Sequence, residues 1–254
     1  MILALDIGNT NIVIGCIDEH KTYFVERLRT DAVKTELEYA LDLKNVLELY
    51  GITREDLEGG IIASVVPPVS TTLQRAMEKI IGKKPPLVGP GIRTGLNIKM
   101  DNPASVGADL IVAAVAAVRD YPPPLILIDM GTATTMTVVD ECGNYVGGVI
   151  IPGLQVSLDS LVNRTAQLTK IGLDNLKQVI GKNTIDCMKS GALYGNAAMI
   201  DGMIERMEDE LGQKTTVVAT GGLSRFVVPH CRRKIILDDG LLLRGLWIIY
   251  QKNL

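Results

Sequence analysis

Histidine is almost absent from this chain, with only His20 and His230 among 254 residues. A chemistry built on a histidine base has few choices here. The four cysteines, Cys16, Cys142, Cys187 and Cys231, are scattered without a C-x-x-C pair. Neither zinc nor a disulfide framework is implied, and reduced thiols in a cytoplasmic protein are expected. An excess of positive charge is also missing. The formal net charge is −3, which argues against a nucleic-acid partner, because such surfaces are usually basic. The apolar stretch that includes Ile111 to Val118 is the longest in the chain. It is far too short to span a bilayer, so no membrane partner is expected. The first apolar stretch contains Asp6 and follows no basic segment, unlike a secretory signal. No low-complexity segment or charge block interrupts the chain.

What is present is an ordinary globular balance, 47% hydrophobic and 22% charged residues, enough for one large domain or two of about 125 residues. Within it, two acidic turns share one design. The first reads L-A-L-D-I-G-N-T-N-I-V-I-G over 3–15, the second L-I-L-I-D-M-G-T-A-T-T-M-T-V-V-D over 125–140. Each is an apolar run ending in Asp, one apolar residue, then Gly and a small polar residue, before a second apolar run. Asp6 matches Asp129 and Gly8 matches Gly131, 123 positions apart. A repeat at this spacing predicts two similar domains, each presenting one tight hairpin to a shared cleft.

Strands are predicted over 2–7, 11–17 and about 22–29, a helix over 35–50 ended by Gly51, and a buried strand over 61–66 stopped by Pro67 and Pro68. A helix over 70–81, a short strand at Leu87–Val88 and an Ala- and Val-rich helix over 105–119 follow. Pro122, Pro123 and Pro124 mark a candidate boundary between domains at 1–121 and 122–254. Strands near 125–130, 134–140 and 145–151, a helix after Pro152–Gly153, a long helix over 185–211, a strand over 215–222 and a closing helix over 238–250 complete the pattern. Three strands followed by alternating helices and strands, done twice, is the organisation of the actin-like phosphotransferase fold. The expected class is α/β, with two actin-like (ribonuclease H-like) domains, mixed sheets and a nucleotide between them. T-G-G at 220–222 stands where that fold meets adenosine, although the same residues also suit a plain strand-to-helix turn.

Asp6 ends a strand, where a buried carboxylate is costly unless it binds a metal or several donors. Mg²⁺ takes one or two carboxylates together with phosphate oxygens. The Gly8-Asn9-Thr10-Asn11 turn can aim backbone N–H groups at phosphates, or it can be a simple Asx-type turn. In D-N-P-A-S-V-G-A-D-L, 101–110, Asp109 falls in the first turn of a helix. It is either an acid favoured by the helix dipole or a general base for a hydroxyl that attacks a phosphoryl group.

At these residues the chain resembles the type III pantothenate kinases. The resemblance runs nearly end to end through D-I-G-N-T-N (6–11), S-V-V-P (64–67), V-G-P-G-I-R-T-G-L-N-I-K (88–99), D-N-P-x-x-V-G-A-D (101–109), D-M-G-T-A-T-T (129–135), G-G-V-I-x-P-G (147–153), G-K-N-T (181–184) and A-T-G-G-L (219–223). It implies ATP-dependent phosphorylation of pantothenate to 4′-phosphopantothenate, the first step of coenzyme A synthesis. It also implies ATP with Mg²⁺, a monovalent cation (K⁺ or NH₄⁺) and a homodimer. Carried over residue by residue, Asp6, Ile7, Gly8, Asn9, Thr10, Asn11, Ile12 and Val13 form the phosphate hairpin, with Asp6 on the Mg²⁺ side. Asp109 is the proton acceptor, Asp129 holds the monovalent cation and Thr132 touches ATP. Gly107, Ala108, Asp109, Leu110 and Met100 lie at the pantothenate site, with Thr184 contributed across the dimer. Thr184 also suits the N-cap of the long helix.

Two positions depart from the family pattern. Leu110 stands where the family usually has Arg, and Met100 where it often has Tyr. Loss of a charge-assisted hydrogen bond at position 110 removes about 1.5–3 kcal/mol of acceptor binding. Arg29, Lys99 and Arg93 are candidates to replace the charge. Three functions are therefore carried forward: an active pantothenate kinase, a non-catalytic nucleotide-binding or transcriptional accessory relative, and a kinase for another small alcohol.

Overall fold

The computed structural model describes residues 1–174, 176 and 178–254. It divides into two compact units. The first holds Met1–Leu96, Asp101–Ala116 and Gly240–Leu254; the second holds Asn97–Met100 and Ala117–Asp239.

In the first unit, β1 (Ile2–Ile7) and β2 (Asn11–Ile17) form the first acidic hairpin, and β3 (Thr22–Arg29) follows antiparallel. Helix α1 (Glu36–Leu49) starts at a Thr35 capping box, in which Glu38 returns a hydrogen bond to the Thr35 backbone. Strand β4 (Gly59–Ser64) then adds parallel to β1, giving the order β3-β2-β1-β4. Helix α2 (Pro67–Ile81) starts three residues earlier than the pattern predicts, because proline is favourable in a first helical turn, where its missing N–H has no intrahelical partner. The expected strand at Leu87–Val88 is reduced to a single bridge between Leu87 and Ile62. Pro85 and Pro86 precede it and lack the N–H groups that would extend a ladder. Leu3, Leu5, Ile7, Ile12 and Ile14 point to one side of the sheet and form a core with Tyr39, Leu43, Leu73 and Met77 of α1 and α2.

Helix α3 (Ala108–Asp120) lies in the first unit as far as Ala116. In the second unit, β5 (Leu125–Met130), β6 (Ala133–Val139) and β7 (Tyr145–Pro152) repeat the opening meander. Helices α4 (Leu154–Asn163) and α5 (Thr184–Leu211) follow, then β8 (Thr216–Thr220) parallel to β5, the short α6 (Ser224–Val227) and β9 (Ile236–Leu237). The strand order is β7-β6-β5-β8-β9, the first sheet's order with one strand added. Its core joins Ile126, Ile128, Met130 and Met136 to Leu154, Leu193, Ile200 and Ile204.

The last helix, α7 (Leu241–Gln251), returns to the first unit and packs against β1, β2 and β4. Glycines allow the approach: a Cβ at Gly15 would strike Leu243, and one at Gly59 would strike the Tyr250 ring. A single cut after residue 121 leaves this helix with the second unit, whereas its packing assigns it to the first.

Candidate active site

Asp6 is 8% exposed, near the carboxyl end of β1. Its register partners are Val13 on β2 and Ala63 on β4. The turn after it is closed by Gly8 N–H donating to the Asn11 carbonyl at 3.0 Å. Thr30 braces it from outside: its hydroxyl donates to the Gly8 carbonyl at 2.6 Å and its N–H to the Thr10 carbonyl at 3.0 Å. A Cβ at Gly8 would sit 3.0 Å from the Asn11 carbonyl oxygen, a tight contact that the turn would have to relax to accept. Asn9, Thr10 and Asn11 are exposed at its tip, while Ile7 and Ile12 are fully buried anchors that can offer a ligand only their backbone. Val13 is half-buried.

Asp109 lies in the first turn of α3, in the same unit. Its carboxylate folds back over Gly107, where an added Cβ would sit 2.5 Å from Asp109 Oδ1 and 3.6 Å from Val65 Cγ1. Val65 in turn donates its N–H to the Ile7 carbonyl at 3.1 Å. The structure therefore brings Gly107–Asp109 beside the ends of β1, which carries Asp6, and of the neighbouring β4. Burial pushes the Asp109 carboxyl above the ordinary 3.8, against the lowering pull of the Leu110 N–H at 2.8 Å and its own backbone N–H. Ala108 is buried, and Leu110 is half-buried on the same turn.

In the second unit, Asp129 occupies the equivalent place on β5, with Thr135 on β6 and Thr220 on β8 as register partners. Gly221, at φ +91°, lies directly against it: a Cβ there would stand 2.5 Å from Asp129 Oδ1 and 2.6 Å from the Met130 nitrogen. The hydroxyl oxygens of Thr134 and Thr135 are buried without a hydrogen-bond partner. Sequence reasoning reached T-G-G but not its contact with Asp129, and it missed Thr135; alternation along β6 from the matched Asp was the available signal. Thr132 is exposed, and its carbonyl accepts from the Gly153 N–H at 3.2 Å.

Thr184 is exposed in the first turn of α5, but it is not the N-cap. Asn183 caps the helix, its side chain accepting from the Asp186 N–H at 2.9 Å. Thr184 instead lines a cavity of about 400 Å³ beside α4 and α5, together with Ser157, Leu158, Leu161 and Met188. Met100 is half-buried, with its sulfur 3.8 Å from where a Cβ at Gly147 would lie. Its neighbour Lys99 is ion-paired with Asp140 at 3.0 Å. Burial acts to raise the Asp140 carboxyl, but hydrogen bonds from Asn144 and Lys99 outweigh it and hold the group down to about 2.

Among the described residues, no three His, Cys, Asp or Glu side chains come together as a metal cage. A divalent ion here would draw most of its ligands from phosphate oxygens and water, which suits Mg²⁺ with one carboxylate such as Asp6. Around Asp129 the donor set is a carboxylate and the orphaned Thr135 hydroxyl, all oxygen, which fits a hard cation. Among the described residues, no helix is long and apolar enough to cross a membrane.

Residues 2–206 match the sequence profile of the family described as type III pantothenate kinase. A curated relative from Bacillus cytotoxicus, itself named type III pantothenate kinase, is 45% identical over 253 residues, covering 100% of this chain and 97% of its own. Among solved structures, a conserved Baf family protein of Campylobacter jejuni matches with a TM-score of 0.58 at 18% identity, covering 99% of this chain and 98% of its own. Component A of (R)-2-hydroxyglutaryl-CoA dehydratase from Acidaminococcus fermentans matches at 0.56 and 14%, covering 99% and 97%. The α/β fold, with its two mixed sheets, is shared with these solved structures. By the profile match and the curated relative, the chain belongs to the type III pantothenate kinase family.

Proposed function

We propose that this chain transfers the γ-phosphoryl group of ATP to the primary alcohol of pantothenate, giving 4′-phosphopantothenate for coenzyme A synthesis. Family membership supports the reaction. The observation that carries the assignment of residues is the Asp109 carboxylate, raised by burial and folded over Gly107 in the unit that carries the Gly8–Asn11 turn. A carboxylate raised towards neutral pH is a better proton acceptor at working pH than an ordinary one. The pantothenate hydroxyl oxygen forms a bond to the γ-phosphorus, the bond from that phosphorus to the bridging β,γ oxygen breaks, ADP leaves, and the hydroxyl proton passes to Asp109. Backbone N–H groups of the Gly8–Asn11 turn hold phosphate, and Asp6 takes the Mg²⁺ side. Mg²⁺ bound with the nucleotide supplies charge neutralisation.

Asp129 with Thr135 holds a monovalent cation, K⁺ or NH₄⁺, and Thr132 contacts the nucleotide. Gly107, Ala108, Leu110 and Met100 bound the acceptor, with Thr184 supplied by the partner of a cytoplasmic homodimer. A second reading, a kinase for another small alcohol, is favoured by one observation: Leu110 and Met100 are both half-buried and apolar.

The test is ADP formation with K⁺ or NH₄⁺ present, with and without pantothenate. Pantothenate-dependent turnover that disappears in Asp109→Asn supports the first reading. Turnover only with a different alcohol supports the second. ATP binding without any turnover points to a non-catalytic relative and removes both.

A further inference from the structure

The register of the first sheet aligns more than the hairpin. Asp6 faces Val13, and Val13 faces Arg27, so these three form one row across β1, β2 and β3. Asn11 faces Arg29, one row nearer the turn. Directly paired residues share a face, and so do residues two apart on one strand. Asp6, Asn11, Val13, Arg27 and Arg29 therefore lie on one face. The opposite face carries the apolar core, including Leu5, Ile7, Ile12 and Ile14.

At a strand spacing of about 4.8 Å, Arg29 is one step from Asn11 and Arg27 is two steps, about 10 Å, from Asp6. Both arginines are exposed. Among the described residues neither makes an ion pair, and neither side chain makes a hydrogen bond. The acid between them is turned away, since Glu26 accepts from the Tyr50 hydroxyl at 2.6 Å on the other face. Thr30, next in the chain, is the residue that braces the Gly8–Asn11 turn. Two uncommitted guanidinium groups thus stand on the Asp6 face beside a turn suited to phosphate.

We infer that Arg27 and Arg29 are binding residues for the polyphosphate of the nucleotide, flanking the Gly8–Asn11 turn on the β3 side. The inference rests on the proposed kinase function. Planar guanidinium forks recognise phosphate oxygens in pairs and stay charged at every working pH. Their task is to offset phosphate charge, so they act on ATP and ADP and leave the nucleoside alone. Charged residues on an edge strand also discourage pairing between chains; that role predicts increased self-association with unchanged nucleotide affinity.

The experiment is calorimetric titration of the full chain with ATP plus Mg²⁺, with ADP plus Mg²⁺, and with adenosine, at two salt concentrations. The variants are Arg27→Gln, Arg29→Gln, the double variant and the corresponding lysine changes. Each glutamine change is expected to weaken ATP binding roughly three- to tenfold and the pair roughly ten- to hundredfold, with adenosine unchanged and salt dependence reduced. Lysine is expected to recover part of the loss. ATP affinity unchanged in the double variant overturns the inference, as does an equal loss for adenosine or a loss confined to pantothenate. A parent chain that binds no ATP overturns both the inference and the function beneath it; a parent that binds ATP as tightly as the variants overturns the inference alone.

Discussion

Asp6 and Asp129 hold the same position in their respective sheets, each facing a residue on the returning strand of its hairpin and another on the parallel strand beside it. The partners differ in chemistry. Asp6 has Val13 and Ala63, whereas Asp129 has Thr135 and Thr220. Only the second carboxylate has hydroxyl groups on both sides, and one of these, Thr135, is buried without a hydrogen-bond partner. The duplication therefore preserved the backbone device and diversified its surroundings.

That contrast separates two neighbouring threonines. Thr134 and Thr135 both bury an unsatisfied hydroxyl, and replacing such a group with a shape-matched apolar one is close to neutral or favourable. In buffer free of K⁺ and NH₄⁺, Thr134→Val and Thr135→Val are each expected to melt within about 1 kcal/mol of the parent or above it. Only Thr135→Val is expected to need more K⁺ for half-maximal turnover. Equal K⁺ requirements in the two variants would remove Thr135 from the cation site.

Asp109 places activity and stability in opposition. Its carboxyl is raised above 3.8 by burial, so its contribution to stability is fully present below that value and is lost as pH rises through the folded pKa. Asp109→Asn removes the charged form. It is expected to match the parent in melting temperature below pH 3.8 and to exceed it at neutral pH, while losing turnover. Thermal melts across pH check this; a variant less stable than the parent at pH 7 would contradict the assigned cause.

Gly221 and Gly222 form a second matched pair. Gly221 has φ +91°, and an added Cβ would meet Asp129 Oδ1 at 2.5 Å, whereas Gly222 has open space around it. Gly221→Ala is expected to cost about 1–3 kcal/mol through backbone strain, with a further penalty for displacing Asp129. For a chain of this size that is a fall of roughly 2–12 °C in Tm. Gly222→Ala is expected to leave Tm unchanged. Comparable melting temperatures for the two would show that the contact with Asp129 carries no weight.

Leu110 tests the acceptor side. It is half-buried one residue after Asp109, and Lys99, one candidate to replace the missing charge, is already committed to Asp140. Leu110→Arg is expected to lower KM for pantothenate roughly ten- to hundredfold, the equivalent of about 1.5–3 kcal/mol for a hydrogen bond to a charged group. KM is measured at saturating ATP, and an unchanged value would show that Leu110 does not weaken the acceptor site.

Much of the architecture is legible in local pattern. The two acidic hairpins, the α1 helix with its Thr35 and Glu38 box, and the long α5 helix follow from periodicity and capping, which act over a few residues. The start of α2 and the cap of α5 differ by one to three residues from the pattern, because Pro67 tolerates the first turn and Asn183 accepts the hydrogen bond that Thr184 was also suited to take. Position in a motif identified Asp6, Asp109 and Asp129. It carried no information about what each carboxylate touches.

By itself, the sequence determined the fold class, the family and the duplication, because apolar alternation and glycine turns are written locally and repeat at a constant spacing. Only the tertiary structure decided that Gly221 lies against Asp129, that Gly107 makes room for Asp109 beside Val65, that Arg27 shares a row with Asp6, and that α7 packs on the first sheet. Each of these depends on strand register or close packing between segments tens to hundreds of residues apart. Such contacts are selected by the shape of the assembled core and by where glycines let backbones approach, and neither quantity is contained in a local window of sequence.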